Sequence, residues 1–337
     1  MSGSNEGAPT AKRALMIVLA IIVIAIIGAA GIFFYLNSIE EKLHGDVEQT
    51  TAIKEALTQV DNKTQGALSE PFYTLVLGSD QRDDEASRSD VMMLVRCDAD
   101  TGTVSILSLP RDLMIELEDY GTNKINAAYA YGGPALAIGT VEKMTGLPID
   151  HYVEVKFDEL EQVIDDLGGV DVDIPISNDE TGTASFDIDL SEGMTHMDGK
   201  TALSFVRERY GYERGDFQRA DNQRLVSMAI IKSILDRPVY EIPGAISTVS
   251  ETITTDLSLT ELMTLSSLVK DNEDLTFYSS IAPCTSEYIY GGWYDILDEE
   301  AFAKMIKEMD AGRDMSKHES GDSAGSTATS NTVSISS

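Results

Sequence analysis

Metal-binding cysteine motifs are missing from this 337-residue chain. It holds only Cys97 and Cys284, with no CxxC pair, no Cys/His cluster and no HExxH, which argues against a zinc site. Basic residues are scarce. Lys and Arg number 25 against 57 Asp and Glu, a formal charge of −32. A nucleic acid is a dense line of negative charge bound mainly through Lys and Arg, so this balance argues against it as the main partner. It suits a domain facing an external medium. No internal repeat is present. In an extracellular domain the two cysteines can pair as a disulfide, or remain buried thiols, and spacing leaves both readings open.

Charge is wholly absent from Ala14 to Leu36, 23 residues of mainly Leu, Ile, Val, Ala, Phe and Gly. At about 1.5 Å per residue this crosses the roughly 30 Å hydrocarbon core. A cleaved signal peptide has a shorter apolar stretch, so an uncleaved anchor is expected. Lys12 and Arg13 precede the span and Glu40, Glu41 and Asp46 follow it, which places the N-terminus inside and the bulk outside. The expected organisation is a cytoplasmic tail (1–13), a transmembrane helix (14–36), a stalk (37–70), an extracytoplasmic domain (71–314) and a Ser/Thr/Gly-rich disordered tail (315–337).

Within the domain, Phe72 to Leu77 reads as a buried strand ending at Gly78. Val91 to Val95 and Thr103 to Leu109 read as a hairpin across Asp100-Thr101-Gly102. Ile125 to Met144 reads as a helix broken near Gly132-Gly133-Pro134. Tyr152 to Phe157 and Val170 to Ile174 read as strands. Between them Leu160, Val163, Ile164 and Leu167 mark one helix face, ended by Gly168. Helices over Leu225–Leu235 and Leu259–Val269 and a strand over Leu275–Ala282 complete an α/β layered domain around a mixed sheet.

The arginines carry the chemistry. Of twelve, four fall between positions 82 and 111 and five between 207 and 224. An acidic chain that concentrates rigid guanidinium forks in two stretches is building an anion site. Asp80 follows one strand and Asp90 opens the next, with Arg82 and Arg88 between them. Two carboxylates at strand ends suit Mg2+, an oxygen-seeking ion that also binds substrate phosphates, although a turn aspartate and a strand-capping aspartate are the plainer reading from spacing alone. Arg111-Asp112 stands at another strand end and reads as a phosphate contact or a surface ion pair. Lys124 is a phosphate contact or a solvated lysine. If the Arg207 segment is extended, Arg207 and Arg209 point the same way, and on a helix Arg219 and Gln223 share a face. A solvated face balanced by Glu208, Asp216 and Asp221 is the plainer reading of each arginine taken singly. The apolar stretch 125–170 is core or the wall of a lipid tunnel, which periodicity does not separate.

These motifs, in order, are Leu77-Gly78-Ser79-Asp80-Gln81-Arg82, Arg88-Ser89-Asp90-Val91-Met92-Met93-Leu94, Ser108-Leu109-Pro110-Arg111-Asp112, Lys124-Ile125-Asn126-Ala127-Ala128-Tyr129, Gly168-Gly169-Val170-Asp171-Val172, Asp198-Gly199-Lys200-Thr201-Ala202-Leu203, Val206-Arg207-Glu208-Arg209 and Asp216-Phe217-Gln218-Arg219. Each is weak alone. The ordered set, over about residues 72–236, resembles the LytR-CpsA-Psr (LCP) family of cell-wall glycopolymer ligases. That resemblance implies a three-layer α-β-α sandwich on one transmembrane helix in a Gram-positive cell membrane. It implies a polyprenyl pyrophosphate held with its tail in an apolar tunnel, and Mg2+ or another divalent cation at Asp80 and Asp90. Arg82, Arg88, Arg111, Arg207, Arg209, Arg219 and Gln223 would surround the pyrophosphate, with Lys124 near the head group. Arg88, Asp90 and Arg111 would carry the catalysis. The implied reaction moves a glycopolymer phosphate, from teichoic acid or capsule, onto a peptidoglycan muramic acid hydroxyl. Asn222 departs from a common Arg and Val91 from a common Thr; the first puts one phosphate contact in question. The rivals are a lipid pyrophosphate phosphatase, a lipid-carrier scaffold and a transcription regulator. External topology, the acidic charge and the lack of a basic helix argue against the last.

Overall fold

The computed structural model describes residues 35–36, 38–44, 47–57, 70–80, 88–156, 160–174, 193–207, 222, 225–227, 229–230, 232–234, 237–238, 240–250, 253–271 and 276–315. The elements begin with helix α1 (Val47–Ala56) and strands β1 (Phe72–Asp80), β2 (Arg88–Asp98) and β3 (Thr103–Ser108). A small hairpin follows, β4 (Met114–Leu117) and β5 (Gly121–Lys124), then helix α2 (Asn126–Thr145), β6 (His151–Lys156) and α3 (Leu160–Leu167). A second small hairpin, β7 (Val170–Ile174) and β8 (Gly193–Met197), leads into α4 (Gly199–Arg207). The chain continues with α5 (Ile242–Val249), β9 (Ile253–Thr255), α6 (Leu259–Asp271) and β10 (Thr276–Ile281). It closes with a third hairpin, β11 (Cys284–Ile289) and β12 (Gly292–Leu297), and helix α7 (Glu299–Asp310).

Among the described residues, six strands form the central sheet in the order β10-β3-β2-β1-β6-β9. β1 runs parallel to β6 and β3 parallel to β10, while β2 and β9 run antiparallel to their neighbours. The expected mixed sheet is therefore present. The carboxyl ends of β1, β3, β6 and β10 all emerge at one edge, where α/β sheets place their ligands.

Apolar side chains cover both faces because successive strand residues point to opposite sides. Leu75, Leu77, Met92, Leu94 and Leu107 project to the face packed against α2, with Ala137, Ile138 and Val141, and α7, with Phe302, Met305, Ile306 and Met309. Val91, Met93 and Ile106 project to the opposite face against α3, α4 and the β7–β8 hairpin. Each such side chain contributes roughly 1.5–3 kcal/mol by leaving water. Helix α2 carries the break expected from Gly132-Gly133-Pro134, with non-helical backbone at Gly132 and Gly133.

Two motifs from the sequence prove to be packing devices. A Cβ on Gly199 would stand 2.0 Å from the Glu161 carbonyl oxygen, so only glycine lets α4 cross α3 this closely. Asp198 caps the helix, accepting from the Thr201 N–H at 2.8 Å, and hydrogen bonding from the Thr201 hydroxyl and then its N–H holds the carboxyl below the ordinary range. Gly169 has φ +92, and a Cβ there would meet the His196 ring.

Two readings change, and one that spacing left open is resolved. Ile53 and Leu57 are buried in the main core, so part of the segment read as a stalk packs onto the domain. Arg207 ends a helix rather than lying on an extended segment, because Ala202, Phe205 and Val206 turn a helical stripe toward the core. The cysteines are free. Cys97 pairs with Val104 at one end of β3, and Cys284 follows Ile281, which pairs with Ser108 at the other. That separates them by about 13 Å along the sheet, beyond the roughly 7 Å a disulfide spans. Among the described residues no helix is long and apolar enough to cross a membrane. The span expected over Ala14 to Leu36 lies almost wholly outside the described residues.

Candidate active site

At the carboxyl edge of the sheet, the β1–β2 register places Asp80 directly opposite Arg88. The pairing then slips: Ser79 faces Ser89 and Gly78 faces Val91, which leaves Asp90 as an extra residue in a bulge. The Ser89 hydroxyl closes the bulge by donating to the Val91 carbonyl at 2.6 Å. Bulges re-aim residues beside functional sites. Here one brings Asp80, Arg88 and Asp90 to adjoining backbone positions on two strands, although they are separated by up to ten places in sequence.

The end of β3 delivers the next group. Arg111 Nε lies 3.7 Å from Asp112 Oδ2, and Lys124 Nζ lies 2.8 Å from Asp112 Oδ1. Asp112 thus gathers two cations that are 13 residues apart in sequence. The small β4–β5 hairpin makes this possible by folding Lys124 back beside Met114, and the Asn126 N–H donates to the Arg111 carbonyl at 3.2 Å. The three side chains are each 20–30 % exposed, at which depth charge interactions are screened less than on the open surface. Lys124 also stands over the Tyr294 ring, 5.5 Å from its centroid.

Beneath this edge lies a network that the sequence reading missed. Glu154, 6 % exposed on β6, accepts from the Ser79 hydroxyl at 3.0 Å and from the Tyr129 hydroxyl. Ser79 immediately precedes Asp80, and Tyr129 comes from α2, so one carboxylate ties three elements under the site. A glutamate in the middle of an alternating strand is the signal that was available. Beside the edge, burial pushes the Cys284 thiol up to about 12, with the Asp295 charge adding to the effect; it is not a ready nucleophile.

The remaining site residues sort as follows. Arg207 is exposed at the end of α4. Arg82, Arg209, Arg219 and Gln223 lie outside the described residues. Asn222, where the family's arginine was expected, is 1 % exposed and donates to the Phe205 carbonyl at 3.0 Å; it braces α4. Arg96, from the first arginine-rich stretch, sits at the opposite end of the sheet in a buried pair with Asp98 at 3.1 Å. No cluster of three or more His, Cys, Asp or Glu suited to a metal occurs among the described residues whose side chains are placed.

The family model described as the LytR_cpsA_psr family matches residues 32–311. A polyisoprenyl-teichoic acid–peptidoglycan teichoic acid transferase TagU from Halalkalibacterium halodurans is 34 % identical over 263 residues, covering 76 % of this chain and 84 % of that protein. The protein of the same name from Bacillus subtilis is 28 % identical over 311 residues, covering 90 % and 97 %. Among solved structures, TagT bound to LIIa-WTA superposes with a TM-score of 0.61 at 27 % identity, covering 73 % of this chain and 91 % of that one.

Proposed function

The chain belongs to the LytR-CpsA-Psr family, and from that membership and its sheet edge we infer that it transfers a glycopolymer from a polyprenyl-pyrophosphate carrier to peptidoglycan. The transferase names of its relatives and the TagT complex support teichoic acid as the kind of polymer moved. The observation that carries the site is the meeting, at one edge, of Asp80, Arg88 and Asp90 with the Arg111–Asp112–Lys124 cluster.

In this reading the muramic acid hydroxyl attacks the phosphorus nearest the sugar. A new P–O bond forms, the bond to the outer lipid phosphate breaks, and the lipid phosphate leaves with the electron pair. Arg88 and Arg111 offset charge on the transferring group, since forked donors match phosphoryl oxygens and act without reorganising. Lys124 sits near the head group. Arg82, Arg207, Arg209, Arg219 and Gln223 complete the pyrophosphate site, as the family motif implies. The hydroxyl proton passes to a carboxylate at this edge, Asp90 or Asp80, whichever is not engaged by a metal ion. The same two residues are a fitting hard-oxygen donor set for Mg2+, because the bulge sets them at adjoining positions. A bound Mg2+ would supply charge neutralisation at the phosphates.

The finer architecture follows the same logic. We place the catalytic domain outside the cell membrane on the 14–36 helix, since the acceptor is peptidoglycan and Lys12 and Arg13 precede the span. The carrier's tail would lie along the apolar layer between the sheet and α2. Supplying lipid-linked glycan with and without uncrosslinked peptidoglycan tests the reaction. Acceptor-dependent covalent attachment supports transfer; release of free glycan phosphate at the same rate either way would instead establish a phosphatase.

A further inference from the structure

The β11–β12 hairpin carries a concentration of exposed aromatic rings that contact chiefly one another. Tyr288, Tyr290 and Trp293 are 62 %, 86 % and 60 % exposed. Tyr288 and Trp293 are cross-strand neighbours, their ring centroids 5.5 Å apart in an edge-on arrangement. Tyr290 stands at the tip with φ +53, followed by Gly291 at φ +83. A two-residue turn of this kind favours Asn-Gly, and a bulky residue at positive φ is uncommon and strained. Clustered exposed apolar surface of this kind marks an interaction site.

The hairpin's base is fixed to the site. Cys284 and Leu297 pack on the core, the Ser286 hydroxyl donates to Asp295 at 2.5 Å, and the Asp295 N–H donates to the Asp112 carbonyl at 2.9 Å. Asp112 is the residue that gathers Arg111 and Lys124, and Lys124 rests over Tyr294 of the same hairpin. The aromatic ledge is therefore a rigid continuation of the phosphate-binding edge.

Charge decides what the ledge suits. Residues 284–297 contain Glu287 and Asp295 and no Lys or Arg. An anionic lipid surface is met with basic residues beside the aromatics, and a phosphate-rich donor polymer would be repelled. Uncharged pyranose rings are not: their C–H faces stack on aromatic rings, and their hydroxyls donate to carboxylates. We propose that the β11–β12 hairpin is the acceptor subsite, where Tyr288, Tyr290 and Trp293 stack the N-acetylated sugars of a peptidoglycan glycan strand as it approaches the phosphate site. This rests on the transferase reading above.

Trp293 is the chain's sole tryptophan, so emission excited beyond the tyrosine absorption band reports on this hairpin alone. The full chain is reconstituted in phosphatidylglycerol–phosphatidylcholine vesicles and titrated with soluble peptidoglycan glycan oligosaccharides. A saturable change in emission, without quenching by brominated acyl chains, is the expected result. No response to the glycan, or strong bromolipid quenching, overturns the proposal, the latter assigning the ledge to the membrane. Tyr288→Ala, at an exposed position, should weaken the glycan titration about tenfold and raise KM for peptidoglycan while leaving KM for the lipid-linked donor unchanged. Transfer with an unaltered acceptor KM would sink the hairpin's role and leave the transferase standing. If wild type gave no transfer at all, the underlying reading would fall, and the fluorescence titration would still judge the hairpin.

Discussion

Tyr129, on the long kinked helix, donates its hydroxyl to Glu154, a buried carboxylate on the strand beside the site. Glu154 accepts from Ser79 as well, so one side chain holds together the floor under Asp80. Glu154→Ala takes this acceptor from both hydroxyls, and stranding the buried Ser79 hydroxyl costs about 1–3 kcal/mol. Urea unfolding should show that loss, while Tyr129→Phe, which removes one donor and leaves Ser79 paired, should cost less. Equal midpoints for Glu154→Ala and wild type would contradict the bracing role.

Gly199→Ala is expected to be among the most destabilising single-methyl changes in the domain. The added Cβ would sit 2.0 Å from a backbone oxygen rather than a flexible side chain, so α3 and α4 must separate, at a cost of about 1–3 kcal/mol. A fall in Tm at unchanged helix content checks this. Gly146→Ala would be strained by φ +70 but meets no atom within 4 Å, and should give a smaller fall.

Stability should also depend on pH through His151. Burial of its ring opposes protonation, but the Asp256 carboxylate 2.7 Å away, aided by the charges of Glu261 and Asp150, outweighs it and raises the imidazole's pKa. A raised folded-state pKa means stability fully present below the unfolded value near 6.5 and lost as pH rises through the higher folded value. Denaturation midpoints measured upward from about pH 6 should fall in the wild type and stay flatter in Asp256→Asn. Equal slopes would remove the pair from the account.

Much of the sheet was legible in the sequence because β1, β2 and β3 are largely buried and apolar, β6 alternates along its length, and the turn at Gly102 needs its positive φ. The β4–β5 and β11–β12 hairpins were not. Met114–Leu117 and Gly121–Lys124 are four residues each, half-exposed and without a continuous apolar period. The Asp80–Arg88–Asp90 grouping was legible as a motif, but the bulge that assembles it depends on strand register, a tertiary property. Arg207 was misplaced because alternation and helical spacing agree over only a few residues, and packing of Phe205 and Val206 decides between them. Glu154 was passed over because a single acidic residue in a strand gives no periodic signal; only its burial reveals it.

The Asp112 bridge makes a further prediction. Asp112→Asn removes the charge that holds Arg111 and Lys124 together and should raise KM for the lipid-linked donor several-fold, with the fold retained by circular dichroism. An unchanged donor KM would show that the two cations are positioned by other contacts.

The central claim is that phosphoryl transfer to peptidoglycan takes place at the carboxyl edge of this sheet. Its most direct test is covalent attachment of glycan to uncrosslinked peptidoglycan by the full chain with lipid-linked glycan and Mg2+, alongside Arg88→Ala. The account predicts Mg2+-dependent attachment that falls by at least about a hundredfold in the variant, whose thermal unfolding stays close to that of the wild type. Near-normal attachment by Arg88→Ala would contradict it.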